Sequence, residues 1–199
     1  MSKNKKHYPV LESLFNSKTR VKVLKFLFRN YPVSVGVKDL ARRIQEKLEL
    51  VRKEMSDLNK MGLVKAASKN LYMLNAEFEF FDELRTLILK SSPAEKDRMV
   101  KRITGLGQIK LAVVSGVFLS GSKSSSAADS EVDLFIVGNN INKEKLRLFL
   151  RALEAEVGKE LRFGLMDKAE FEYRYGMFDR FVRVLLDSPH EKLINRLGL

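Results

Sequence analysis

The sequence contains no cysteine and no tryptophan, and it has only two histidines among its 199 residues. Without cysteine the chain forms no disulfide and offers no thiolate to a metal, which fits a reducing, cytoplasmic compartment. Two histidines are too few for the usual structural zinc sites, which use four cysteine or histidine ligands. No apolar run approaches the ~20 residues of a bilayer-spanning helix. The basic start MSKNKKHYPV has no apolar segment behind it, so we expect neither a membrane span nor a signal peptide.

Positive charge is in excess, and it is distributed unevenly along the chain. The formal net charge is +12, with +9 in residues 1–92 and +3 in residues 93–199. An excess of this sign favours a polyanionic partner, and its concentration in the first half predicts a nucleic-acid-binding surface there. The alternative is that the chain comes from a generally basic proteome. With 45% hydrophobic and 31% charged residues, the composition is typical of a globular protein.

Apolar spacing in the first half predicts three helices followed by a hairpin. Ser17 is a suitable N-cap for the first helix, and Gly62 ends the third. The segment LVKAASKNLYMLN predicts two strands joined by a tight turn at Ser68-Lys69-Asn70. The predicted helices run from Ser17 to Arg29, from Val37 to Ile44 and from Lys47 to Met61.

This order of elements resembles the winged helix-turn-helix of ArsR-type repressors. KTRVKVLKFLF is similar to their first helix, VKDLARRI to the second, and NKMGLVKAA to the end of the recognition helix and the start of the wing. The resemblance covers about residues 10–75. It implies a domain that binds double-stranded DNA, although some winged helices bind protein instead.

The third helix carries polar residues on the face that a recognition helix presents to the major groove. Arg42 and Arg43 end the second helix, where phosphate contacts are common, and Lys69 lies at the tip of the wing. The residues expected to contact DNA are Arg42, Arg43, Lys47, Arg52, Lys53, Ser56, Lys60 and Lys69. The alternative is an ordinary solvated face, because acids that repel phosphate lie there too. These acids are Glu46, Glu49, Glu54 and Asp57.

Ser91-Ser92-Pro93 predicts a boundary between two domains, at residues 1–92 and 93–199. Just before it, Phe78–Lys90 has the pattern of an amphipathic helix. Its apolar face is expected to pack either within the chain or on a second copy of it. A homodimer would suit a palindromic DNA site.

Residues 93–199 alternate between helical and strand patterns, which indicates an α/β arrangement. Strands are predicted in IKLAVVSG, VDLFIVG and ELRFGLM. Helices are predicted at Ala94–Ile103, in KEKLRLFLRALEAEVG, at Lys168–Leu186 and in the short segment HEKLINRL. The helix at Lys168–Leu186 is expected to pack through Phe171, Tyr175, Phe178, Phe181, Val182 and Leu185.

The stretch from IKLAVVSGVFLSG to DSEVDLFIVG resembles the minimal nucleotidyltransferase domain of the DNA polymerase β superfamily. In that family a Gly-Ser pair after the first strand cradles phosphate, two aspartates one residue apart hold Mg²⁺, and a third carboxylate lies on a later strand. The resemblance implies a small α/β domain with a mixed sheet, and hence an α+β chain. The equivalent positions here are Gly116-Val117, Glu131, Asp133 and Arg162.

The position of the glycine motif depends on where the first strand ends. The strand is expected to end at Val114, so Gly116-Val117 follows it directly, with thirteen residues between Val117 and Glu131. The alternative pair Gly121-Ser122 would restore the serine but leaves only eight residues between Ser122 and Glu131. In both registers the first aspartate is replaced by glutamate and the third carboxylate by Arg162.

These replacements predict a degenerate nucleotidyltransferase-like domain with no catalytic or metal-binding residue, in which Gly116, Glu131 and Asp133 are remnants of a nucleotide site. The favoured hypothesis is a bacterial, cytoplasmic, DNA-binding transcription regulator whose second domain serves interaction, dimerisation or sensing of a small molecule or nucleotide. One alternative is an active Mg²⁺-dependent nucleotidyltransferase that modifies a protein or small molecule. Another is an antitoxin-like partner of a small toxin, which rests on analogy of fold.

Overall fold

The computed structural model describes residues 10–91, 96–119 and 132–199. The chain divides into two compact units: unit 1 extends to Ser91 and includes Val157–Lys159, and unit 2 comprises Ser92–Glu156 and Glu160–Leu199. Over the described residues the fold is α+β and contains one mixed sheet, as predicted. None of the helices in these residues combines the length and apolar character that a membrane crossing requires.

Unit 1 consists of helices around a small antiparallel sheet. Its elements in chain order are α1 (Val10–Phe15), α2 (Lys18–Arg29), β1 (Val35–Gly36), α3 (Val37–Arg43), α4 (Leu48–Lys60), β2 (Val64–Ser68), β3 (Leu71–Leu74) and α5 (Phe81–Lys90). The sheet order is β1-β3-β2, and both neighbouring pairs are antiparallel. The three predicted helices and the hairpin are confirmed, whereas α1 and β1 go beyond the prediction.

Local signals explain where several of these elements begin and end. The Ser17 hydroxyl oxygen accepts a hydrogen bond from the Arg20 backbone N–H at 3.1 Å and so caps α2. Gly62 follows α4 with a left-handed φ of +83°. Asn70 lies in the turn between β2 and β3 with a φ of +67°, a conformation that asparagine tolerates better than most residues.

The core of unit 1 is formed by the inner faces of its helices together with the hairpin. The Phe81 ring at the start of α5 contacts the rings of Phe28 and Tyr31, with centroids 5.6 and 5.3 Å apart. Helix α5 therefore packs within unit 1 through Phe81 and Ile88, one of the two predicted alternatives, while Leu87 stays exposed. Fully buried side chains of this core include Leu24, Leu40, Ile44, Met55, Leu58 and Ile88.

Unit 2 contains a four-stranded mixed sheet. Its elements are α6 (Lys96–Thr104), β4 (Gln108–Ser115), β5 (Leu134–Asn139), α7 (Lys143–Val157), β6 (Phe163–Met166), α8 (Lys168–Gly176), α9 (Arg180–Asp187) and β7 (His190–Asn195). The strand order is β6-β5-β4-β7. Strands β5 and β6 are parallel and connected through α7, and the other two pairs are antiparallel.

Two expectations for the distal part of unit 2 are wrong. The helix predicted at Lys168–Leu186 is broken, because Phe178 adopts a left-handed φ of +53° and Asp179 caps a new helix by accepting a hydrogen bond from the Val182 N–H at 3.2 Å. Of the side chains expected to pack inward from it, Tyr175 and Phe178 are 49% and 75% exposed instead. The segment predicted as a short last helix is strand β7, which pairs with β4. Pairing with a strand far away in sequence overrides local propensity and cannot be seen in local spacing.

Three segments of unit 2 meet at one edge of its sheet. Since β4 and β5 are antiparallel, the end of β4 lies beside the start of β5, and parallel pairing places the start of β6 beside the start of β5. Backbone hydrogen bonds join these ends: Ser115 N–H donates to Asp133 O at 3.0 Å, and Asp133 N–H donates to Arg162 O at 2.8 Å. This edge therefore brings together the predicted positions at Gly116, Asp133 and Arg162.

Candidate functional site

One carboxylate of α4 points into the protein instead of toward solvent. Glu54 is 8% exposed. Its Oε1 accepts a hydrogen bond from the Ser17 hydroxyl at 2.6 Å, and its Oε2 accepts one from Arg20 Nε at 2.7 Å. The contact ties the start of α2 to α4, and it balances the charge of the acid within the protein. The expectation that Glu54 contributes to a solvated acidic face is therefore wrong.

Two further acids near this face are also ion-paired with α2. Glu46 accepts a hydrogen bond from Lys22 Nζ at 2.7 Å, and a carboxylate oxygen of Asp57 lies 3.7 Å from Arg20 Nη2. Glu49, in the first turn of α4, is exposed. Cations from α2 thus compensate much of the negative charge that the sequence places around the third helix.

The residues expected to contact DNA are all exposed, but their surroundings differ. Arg42 and Arg43 are held by Asp39 on the same helix, at 2.5 and 2.9 Å. The hydrogen bond from Arg42 is the main cause that lowers the pKa of Asp39. Part of the charge of both arginines is therefore neutralised within α3. The other predicted contacts, all exposed, are Lys47, Arg52, Lys53, Ser56, Lys60 and Lys69.

A surface cleft of about 580 Å³ is bordered by β1 and the start of α3, by α4, and by β3 with the turn before it. Two of the predicted contacts, Arg52 and Ser56, line it. Asn59 was not among the predicted contacts, although its position three residues after Ser56 puts both on one helix face. The polar lining consists of Lys38, Arg52, Ser56, Asn59, Asn70 and Tyr72. These cationic, amide and hydroxyl groups are of the kind that bind phosphate oxygens and base edges.

In unit 2, both carboxylate oxygens of Asp133 are occupied by protein donors. Arg162 donates to Oδ2 from its Nε at 3.1 Å and from its backbone N–H at 3.0 Å. Oδ1 accepts from Arg162 Nη2 at 3.1 Å and from the Val117 backbone N–H at 3.2 Å. Asp133 is 4% exposed, so these donors take the place of water around it. The arrangement is a bidentate ion pair supplemented by two backbone donors.

The pKa values of this pair follow from the same contacts. Burial would raise the pKa of Asp133, but the hydrogen bonds from Arg162 and Val117 outweigh burial and hold the pKa below its ordinary value. The hydrogen bond to Asp133 raises the pKa of Arg162 in turn. Asp133 is therefore ionised at neutral pH, and its charge is balanced within the protein.

Gly116 makes the close approach of the chain to this carboxylate feasible. Its φ is +54°, and a Cβ at this position would lie 2.3 Å from Asp133 Oδ1. A side chain here would therefore meet both an unfavourable backbone conformation and a steric clash. The close approach of the Asp133 carboxylate therefore explains why this position of the predicted motif is a glycine.

The described residues at this edge do not fit a Mg²⁺ ion. Mg²⁺ requires several oxygen ligands in near-octahedral geometry, whereas both oxygens of Asp133 already accept hydrogen bonds. The guanidinium of Arg162 also repels a divalent cation at this position. Across residues 10–91, 96–119 and 132–199, no group of three or more acidic, histidine or cysteine side chains could hold a metal ion. Glu131 and the alternative pair Gly121-Ser122 lie outside the described residues.

The geometry thus offers two arrangements, a cleft in unit 1 whose lining includes two cations and several polar groups, and a closed ion pair in unit 2. Comparison of the chain with protein-family models, with curated proteins and with solved structures finds no match in any of the three. The chemistry of both sites is therefore inferred from their contacts and charges.

Proposed function

We propose that the chain is a cytoplasmic DNA-binding regulator, in which unit 1 is a winged helix-turn-helix and unit 2 is a nucleotidyltransferase-like domain without catalytic activity. The order of elements in unit 1 supports this assignment. Helix α2, strand β1, helices α3 and α4 and the hairpin of β2 and β3 follow one another as in that fold. Helix α4 then takes the place of the recognition helix, and the hairpin takes the place of the wing.

The observation that carries the proposal is the sorting of charge on α4. Glu54 turns inward onto Arg20, whereas Arg52 and Lys53 on the same helix are exposed. A helix that enters the major groove needs this arrangement, since its outer face meets phosphates while its inner face packs on the core. Asp57, a second acid of α4, lies 3.7 Å from Arg20, whereas Glu49 in the first turn stays exposed.

The residues expected to contact DNA have two different roles in this proposal, depending on whether they line the cleft. Arg52, Ser56 and Asn59 line the cleft and have side chains that form hydrogen bonds with base edges. The exposed lysines suit phosphate, because a lysine ammonium acts as a point charge. The expected phosphate contacts are Lys47, Lys53, Lys60 and Lys69.

The test compares two double variants in binding to a labelled 30-base-pair duplex of random sequence. Arg52→Ala with Lys53→Ala removes two cations from α4, and Lys143→Ala with Lys145→Ala removes two exposed cations from α7. We expect the first variant to bind roughly 10–100-fold more weakly and its salt dependence to flatten by about one phosphate contact, that of Lys53. The second variant is expected to bind nearly as the unmodified chain does.

Equal losses in the two variants would contradict the proposal, because they would indicate attraction by net charge alone. Circular dichroism of both variants checks that the fold is retained. The catalytic alternative is tested separately, with Mg²⁺, each of the four labelled nucleoside triphosphates and the protein. Transfer of label to the protein itself, or transfer in a cell extract that occurs only when the protein is added, would show that unit 2 is an enzyme after all.

A further inference from the structure

Three polar residues of α4 lie on one face of the helix. Arg52, Ser56 and Asn59 follow one another at spacings of four and three residues, which places them side by side along the helix surface. All three are exposed, and all three line the cleft. We call these three side chains the α4 stripe. Lys53 and Lys60 lie about a quarter of a turn away from Arg52 around the helix.

The side chains of the α4 stripe are not engaged within the protein. In the described part of the chain, no carboxylate pairs with Arg52, and no side-chain hydrogen bond engages Ser56 or Asn59. The two arginines at the end of α3, by contrast, are both held by Asp39. The described residues that line the cleft also include no acid. The donors and acceptors of the stripe are therefore available to a partner.

Two members of the stripe can each bind a base edge through two hydrogen bonds at once. The planar guanidinium of Arg52 donates from two parallel N–H groups, which match the O6 and N7 acceptors of guanine. The amide of Asn59 donates and accepts side by side, which matches the N7 acceptor and the N6 amino group of adenine. The hydroxyl of Ser56 both donates and accepts, so it discriminates little between bases. Within the stripe, Arg52 and Asn59 are therefore the residues that can specify a base pair.

The separation of Arg52 and Asn59 along α4 fits the spacing of base pairs. Seven residues of an α-helix rise about 10.5 Å. Base pairs of B-form DNA are stacked about 3.4 Å apart. A helix that lies in the major groove at an angle to it therefore places these two side chains about two to three base-pair steps apart. Ser56 then lies over the base pairs between them.

Groups that suit phosphate accompany the stripe inside and outside the cleft. Lys53 and Lys60 are exposed and lie outside it. Met55 is buried on the side of the stripe away from these two lysines, and it lines the cleft, so the cleft opens on that side. Lys38 and Tyr72 belong to the other walls of the cleft. An ammonium or hydroxyl group therefore lies on each side of the stripe, as a phosphate strand borders each side of the major groove.

We propose that this chain selects duplex DNA in which a G·C pair lies two or three steps from an A·T pair, with Arg52 bound to the guanine and Asn59 to the adenine. The inference rests on the proposed function, because it takes α4 as the helix in the major groove, and it adds which base pairs are specified. Each two-bond contact is expected to favour its own base pair roughly 5–100-fold over the others.

Selection of bound duplexes from a random 20-base-pair library, followed by sequencing, tests the proposal with the full chain at low salt. The unmodified chain should enrich a motif that contains both pairs. Arg52→Ala should lose the preference for the G·C pair alone, and Asn59→Ala the preference for the A·T pair alone, because each change removes one two-bond contact from an exposed position. Lys143→Ala with Lys145→Ala is the control and should enrich the unmodified motif.

The outcomes separate this inference from the proposed function. Binding to duplex DNA without any sequence preference would overturn the inference and leave the proposed function standing, whereas a chain that binds no duplex would overturn both. A motif that both alanine variants retain would also overturn the inference, because other residues would then read the bases.

Asn59→Asp gives a readout that gains a new preference. A carboxylate accepts a hydrogen bond from the amino group of cytosine, but it has no N–H to donate to adenine N7. The variant should therefore enrich cytosine in place of adenine at that position and keep the guanine contacted by Arg52. An unchanged preference for adenine would contradict the assignment of Asn59.

Discussion

Units 1 and 2 each contain a carboxylate paired with an arginine, and the two pairs have opposite effects on the surface. In unit 1 Arg20 holds Glu54 in the interior, so the outer face of α4 keeps its exposed cations. In unit 2 Arg162 covers Asp133, so a carboxylate at the edge of the sheet becomes inaccessible to a metal ion. The same kind of ion pair makes one surface available to a charged partner and closes the other.

The comparison shows that the effect of an acid on the protein surface depends on which cation it contacts. Glu54 and Asp133 are both acids in regions where the sequence places several charges. Their effect on the surface follows from cations supplied by other segments, Arg20 from α2 and Arg162 from the residue just before β6. A count of charges along the chain therefore locates a candidate surface but does not show which sign that surface presents.

The largest effect is expected for Gly116→Ala, which tests how tightly the closed site of unit 2 is packed. The new Cβ would lie 2.3 Å from Asp133 Oδ1 in a left-handed conformation. Clash and backbone strain together should lower the free energy of unfolding of unit 2 by about 3–4 kcal/mol. Hydrogen exchange of the β5 amides measures the loss. Gly176→Ala is the control, since a Cβ there meets nothing within 4 Å; equal losses in both would refute the packing argument.

Breaking the ion pair of unit 2 with Arg162→Gln should have the next largest effect. It leaves a buried carboxylate without its cation, which should destabilise unit 2 by about 2–3 kcal/mol at pH 7. Arg147→Gln breaks the exposed pair with Glu144 and should cost about 0.5 kcal/mol or less. Urea denaturation followed by circular dichroism gives both values. A cost for Arg162→Gln no greater than that for Arg147→Gln would show that the pair contributes little.

The effect of Arg162→Gln also depends on pH in a defined direction. The folded protein holds the pKa of Asp133 below its ordinary value, so the pair stabilises the fold fully above the unfolded pKa of about 3.9. This contribution is lost as the pH falls through the lower, folded pKa. The difference in unfolding free energy between the unmodified chain and the variant should therefore shrink as the pH is lowered below about 4. A difference that is independent of pH would mean that the pair is not its source.

The smallest effect is expected in unit 1, where Asp39→Asn tests whether ion pairing restrains two of the proposed DNA contacts. The change releases Arg42 and Arg43 from their carboxylate. Both pairs are exposed, so the gain in binding should be about 0.5–1 kcal/mol, or roughly two- to fivefold tighter binding to duplex DNA with a steeper salt dependence. Unchanged affinity and salt slope would indicate that neither arginine lies close to phosphate.

The sequence predicted the elements whose signals are local. Ser17 caps α2, Gly62 ends α4 and Asn70 turns the hairpin, and each acts within a few residues of its own position. The exposure of the residues of α4 that are proposed to contact DNA followed from helical spacing in the same way. The inward turn of Glu54 did not, since it depends on Arg20 in a different helix.

The features of unit 2 that local patterns missed depend on contacts between distant segments. Strand β7 is a strand because β4 offers it a partner, although its own residues also suit a short helix. The position of Arg162 opposite the second aspartate position was predicted only as the loss of a third carboxylate. Its bidentate contact with Asp133 requires the parallel pairing of β5 and β6, which brings the starts of both strands together.

The position of β4 between β5 and β7 affects how the protein emerges from the ribosome. All of unit 1 except Val157–Lys159 precedes Ser92 in the chain. Most of its core can therefore assemble while the rest of the protein is still being synthesised. Strand β4 is translated soon afterwards but gains its second neighbour only when β7 has been made. Until then its apolar residues present an open strand edge, a feature that promotes aggregation. Nascent chains that stall between α7 and β7 should therefore be the ones that need a chaperone.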